Sequence, residues 1–134
     1  MRRMCLSVMA ILFLAAVAMG AGNAAQAWVK TELYFGLDIP GGGKVTQEQW
    51  ADFLDNVITP SFPQGLTVFE AYGQMRHENG DIEKQSTRVV FLVHPADPAA
   101  SAKVQDVIKA YREKFSNPQV MRLDSNVQPD FYAD

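Results

Sequence analysis

Three groups of residues in this chain have the types and spacing to do chemistry: a glycine run before a lysine, two histidines, and carboxylates and tyrosines that alternate around one arginine. The run Gly41-Gly42-Gly43-Lys44 invites a phosphate-loop reading. That pattern places its first glycine six positions before the lysine and a Ser or Thr after it. Here Asp38 and Val45 stand at those positions, so a strand-to-helix loop is the better reading, with anion binding at the helix start as the minor alternative. His77 and His94 close two successive strand-like segments that must run in opposite directions, which puts them at opposite ends of a sheet. Neither has a helical partner at i+3 or i+4, so no metal site is expected, and both read as solvated strand-end histidines. No G-x-S-x-G elbow is present to support serine catalysis. No cofactor motif stands out.

The remaining group depends on how the elements place it. Lys30 to Ile39 alternates with Leu33, Phe35 and Leu37 on one side, which predicts a first strand. Thr46 and Gln49 form a capping-box pattern, and Trp50, Phe53, Leu54, Val57 and Ile58 follow at helical spacing. Pro60, Pro63 and Gly65 are expected to end that helix. Leu66 to Arg76 and Ser86 to Val93 read as strands joined through the turn Glu78-Asn79-Gly80. Asp97-Pro98 opens a second helix, Asn117-Pro118 stops it, and Gln119 to Leu123 is a short fourth strand. The tail from Asp124 onward has no period.

The order β-α-β-β-α-β, with right-handed crossovers, predicts an α+β ferredoxin-like two-layer sandwich. Both helices then cover one face of a four-stranded antiparallel sheet of spatial order 4-1-3-2. Alternation assigns Leu33, Phe35, Phe69, Met75, Val89, Phe91 and Val93 to the core, with Phe91 fully buried. The open face then carries Glu32, Tyr34, Val68, Glu70, Tyr72, Gln74, Arg88, Val90 and Leu92. A three-residue turn pairs Glu70 with Arg88. The candidate binding face is therefore Glu32, Tyr34, Glu70, Tyr72, Gln74 and Arg88, and its apolar setting suits contact with another surface. A second copy of the chain, the tail with Phe131 and Tyr132, or a small-molecule ligand are its possible covers.

The first residues fix an expectation about compartment. Arg2 and Arg3 precede an apolar run from Cys5 to Met19, and small residues close on Ala25-Gln26-Ala27. That is the layout of a Sec-type secretory signal peptide over residues 1–27, cleaved after Ala27. The run is shorter than the roughly 20 residues of a membrane-spanning helix, so no anchor is expected after cleavage. Removing 27 of the 134 residues leaves 107, one α+β domain beginning at Trp28. The single cysteine, Cys5, leaves with the leader, which excludes disulfides and thiol chemistry in the remainder. Two of the 12 basic residues leave as well, so ten stand against 15 acidic ones. Nucleic acid is a poor partner for such a surface.

Three segments carry a resemblance. Thr31-Glu32-Leu33-Tyr34-Phe35-Gly36, the stretch Thr59-Pro60-Ser61-Phe62-Pro63-Gln64-Gly65-Leu66-Thr67, and Tyr72-Gly73-Gln74 resemble an uncharacterised family of exported bacterial proteins, domain of unknown function 3574. The resemblance spans nearly all of the chain after the leader and implies no activity. It draws attention to Glu32, Gln74 and the loop holding Phe62, Pro63 and Gly65. The chain departs from the family pattern at Ser61, Met75 and Lys84.

Together these point to a small periplasmic or secreted binding domain that works through its open sheet face. Two rivals stand beside it. One is a cofactor-free enzyme with Glu32 or Glu70 as general base and Arg88, with Tyr72, holding an anionic substrate. The other is an inhibitor or accessory subunit of an envelope protein, using a strand edge or the 59–65 loop.

Overall fold

The computed structural model describes residues 25–133. Of the expected leader it includes only the last three positions, and residues 1–24 lie outside the described residues. Among the described residues no helix is long and apolar enough to cross a membrane.

Strand β1 (Trp28–Gly36) buries Thr31, Leu33 and Phe35 on one side, as the alternation requires. It ends before Ile39 because the chain turns back on itself. Val45 donates to the Leu37 carbonyl at 2.8 Å, and Ile39 to that of Gly43 at 3.0 Å. Gly41, Gly42 and Gly43 all have positive φ, which a side chain would strain, and Lys44 pairs with Asp38 at 3.1 Å. The glycine run thus closes a tight turn.

Helix α1 (Gln47–Phe53) opens on the capping box: Thr46 Oγ1 accepts from the Gln49 amide, and Gln49 Oε1 accepts from the Thr46 amide. The helix does not stop before Pro60. It winds through a wider π-helical stretch, Leu54–Ile58, into α2 (Thr59–Ser61), with Thr59 N–H donating to the Leu54 carbonyl five residues back. A proline ring collides with the carbonyl four residues earlier in a regular α-helix. The wider turn placed just before Pro60 relieves that collision.

β2 (Thr67–Arg76) and β3 (Ile82–Pro95) form the expected hairpin, with His77 N–H bonding to the Asp81 carbonyl and Gly80 at φ +95°. β2 matches its expected span to within a residue, whereas β3 runs further at both ends than its apolar segment suggests. Helix α3 (Pro98–Lys114) is capped by Asp97, whose carboxylate accepts from the Ala100 amide at 2.7 Å. Left-handed Ser116 and Asn117 stop it ahead of Pro118, and β4 (Val120–Val127) follows. Pairing is antiparallel throughout, and the strand order β2-β3-β1-β4 is the ferredoxin-like one expected.

The core centres on Phe35, whose ring lies 5.2 Å from Trp50 and 4.8 Å from Tyr111. Tyr111 donates its hydroxyl to the Gly36 carbonyl at 2.8 Å, and burial raises the phenol's pKa well above its ordinary value.

The helix-covered face of β3 is the reverse of the one expected. Leu33 stands opposite Val90 and Phe35 opposite Arg88, so Arg88, Val90 and Leu92 face the helices. Phe91, expected in the core, lies half-buried on the open face with its ring 4.8 Å from Phe69, and Val93 is exposed. The same register carries Val68 and Glu70 to the helix side and Phe69 and Met75 to the open side. The cause is the run Val89-Val90-Phe91-Leu92-Val93, apolar on both parities. Alternation cannot orient such a strand; its pairing with β1 does.

Candidate functional site

Along β1, one of the two inner strands, three polar side chains form one connected column on the open face. Lys30 Nζ lies 2.6 Å from Glu32 Oε1, and the Tyr34 hydroxyl donates to Glu32 Oε2 at 2.9 Å. The period of two along β1 aligns them. Hydrogen bonds from Lys30 and Tyr34 hold the Glu32 carboxyl below its ordinary pKa, and the same bond to Glu32 raises that of Tyr34. At neutral pH Glu32 is therefore a carboxylate with both oxygens engaged, and Tyr34 is a neutral donor. This suits Glu32 to holding a partner by charge; a general base needs a pKa nearer the working pH.

Apolar groups surround the column. Glu32 lies between Phe91 of β3 and Leu123 of β4, and Tyr34 between Val89 and Met121. Lys30 Nζ sits 5.1 Å above the Phe91 ring, a cation–π contact. Phe69, Met121 and Leu123 remain 45%, 47% and 47% exposed. At one end the tail folds back so that Phe131 meets Trp28 at 5.8 Å, bordering a groove of about 650 Å3 with Lys30, Phe91 and Val93. Phe131 and Tyr132 stay largely exposed, so the tail touches this face without covering it.

Of the six residues expected to share this face, only Glu32 and Tyr34 do. Glu70 and Arg88 pair as expected, with Arg88 Nη2 3.1 Å from Glu70 Oε1, but on the helix side. Arg88 is tolerated there because the helix layer leaves β2 exposed beyond Val68. Its side chain, 12% exposed, reaches outward to a Glu70 that is 72% exposed. The register places Tyr72 and Gln74 on the same side as Glu70, where the hairpin extends into solvent. Glu32 therefore shares no cluster with Glu70 and Arg88, which lie on the opposite face of the sheet.

The loop residues divide. Phe62 is buried in the core, its ring 6.3 Å from that of His94, while Pro63 and Gly65 are exposed beside a cavity of about 280 Å3 next to the start of α3. His94 is not solvated. It is buried, with Nδ1 2.8 Å from the Pro95 carbonyl and Nε2 2.9 Å from Thr31 Oγ1, and Thr31 donates to Asp124 Oδ1 at 2.6 Å. This chain ties β3, β1 and β4 together, and the reversed face hid it: His94 has the same parity as Val90 and Leu92. His77 is exposed and pairs with Glu83 at 2.8 Å, far from His94 at the other end of the sheet. Among the described residues no group of three or more His, Cys, Asp or Glu side chains is placed to hold a metal ion.

The family model described as protein of unknown function (DUF3574) matches residues 30–131. The chain belongs to this family. The DUF3574 match begins at Lys30, within β1, and runs to Phe131, so it takes in all four strands and the helices. No curated protein matches the chain. A phage SAM lyase in complex with S-methyl-5'-thioadenosine is similar in structure at a TM-score of 0.56 and 12% identity, over 84% of this chain and 98% of that one. A phage SAM lyase in its apo state is similar at a TM-score of 0.50 and 13% identity, over 80% of this chain and 94% of that one. At these identities the likeness shows a shared fold for the DUF3574 domain and the phage enzyme.

Proposed function

We propose that this DUF3574 protein is an exported binding domain whose open sheet face associates with a second copy of the chain. The observation that carries the reading is the Lys30–Glu32 pair set in an apolar field. Phe69, Met121 and Leu123 lose hydration when a like surface covers them. A two-fold axis through the face brings Lys30 of each copy to Glu32 of the other, so one surface supplies both halves of the charge match. The tail contact at Phe131 leaves most of that surface uncovered. Export rests on the basic start, the apolar run and the Ala25-Gln26-Ala27 site.

Native mass spectrometry of protein recovered from the cell envelope tests both halves. The expected species is a dimer of chains beginning at Trp28. An intact Met1 contradicts export with cleavage, and a monomer at every concentration contradicts the association.

A further inference from the structure

One row across the open face is built of small residues. Gly36 of β1 stands opposite Thr87 of β3, and Thr87 opposite Ala71 of β2. The next row, Tyr34, Val89 and Phe69, is large and apolar. On the other side Gln85 is paired with Gly73. This step from large to small leaves a trough of about 340 Å3, and no charged side chain lines it.

The Gln85 amide lies directly over Gly36. A Cβ at Gly36 would come within 2.8 Å of Gln85 Oε1, so the glycine makes room for the amide. Gln85 is half-buried, and its amide is not among the buried side-chain groups left without a partner, so it stays open to solvent at the trough. A solvent-open amide beside an uncharged trough can offer both its donor and its acceptor to a ligand. The buried Thr87 hydroxyl beside it makes only a long 3.4 Å contact with the Gln85 main-chain carbonyl.

We propose that this trough binds a small uncharged planar ring whose edge sets a hydrogen-bond donor beside an acceptor, the cis-amide edge of a lactam or nucleobase. A primary amide offers the same pair in reverse, so Gln85 and such an edge close two parallel hydrogen bonds. The ring's flank meets the apolar wall at Tyr34 and Met121, where an aromatic face finds a partner. An ionic ligand would lose hydration here without a counter-charge among the lining residues. The volume, near the lower end of roughly 300–1,000 Å3 for ligand pockets, suits a single ring system. The trough is complete within one chain, so the proposal does not depend on the second copy, which would only roof it.

Titration of 15N-labelled protein with 2-pyridone and with uracil tests this, with benzoate as the charged ring. The expected result is saturable shifts at the Gly36, Gly73 and Thr87 amides and the Gln85 side-chain NH2 in the millimolar range. Binding weakens about tenfold in Gln85→Leu. It is lost in Gly73→Val, whose added side chain projects into the trough. Gly73 tolerates a side chain, since the nearest atom to a Cβ there is 4.0 Å away, and an unchanged thermal melt verifies that the variant is folded. Absence of saturable shifts with both rings overturns the proposal. So does undiminished binding in a folded Gly73→Val, or benzoate binding as tightly as the neutral rings.

Discussion

Asp124 shows how a single residue fastens an edge of this fold. Burial by itself raises its pKa, but the hydrogen bonds from Thr31 and Arg122, with the charge of Arg122, outweigh that and leave the carboxyl below its ordinary value of 3.8. A depressed folded-state pKa gives stability that is present above the unfolded value and is lost as pH falls through the folded one. Calorimetric melts of Asp124→Asn should therefore flatten on the acid limb, losing less Tm than the parent between about pH 5 and pH 2. Equal losses would show that the Thr31–Asp124 contact does no electrostatic work. Arg88 and Glu70 make a parallel case of what a sequence reveals. Their pairing was legible, because the turn at Asn79-Gly80 fixes the register. Their face was not, because register says who is opposite whom and leaves the side to burial.

At the scale of elements, strands and helices were legible wherever local signals agreed. The Thr46–Gln49 box and the Asp97-Pro98 start lie where their chemistry puts them. Misreadings fall where a local rule meets a tertiary one. Pro60 continues a helix through a π-turn, and β3 carries apolar residues on both parities. The reversed face makes a sharp prediction. Phe53 is fully buried among Phe35, Tyr111 and Phe115, so Phe53→Ala should cost about 3–5 kcal/mol in denaturant unfolding. Phe91→Ala, on the half-buried open face, should cost less than about 2 kcal/mol. Equal losses at the two positions would return Phe91 to the core.

For the whole molecule, connection rules alone ordered the four strands, since two crossovers and one hairpin leave few arrangements. They could not reveal that the uncovered face holds a lysine and a carboxylate in contact along one strand. That pair makes self-association testable by exchanging charges. Sedimentation of Lys30→Glu and of Glu32→Lys, each alone and then mixed, bears most directly on the proposed function. Each variant alone places like charges across the two-fold and should sediment as a monomer. The mixture restores opposite charges and should sediment as a dimer, as the parent does. A monomeric parent, or a mixture that stays monomeric beside a dimeric parent, would contradict pairing through this face.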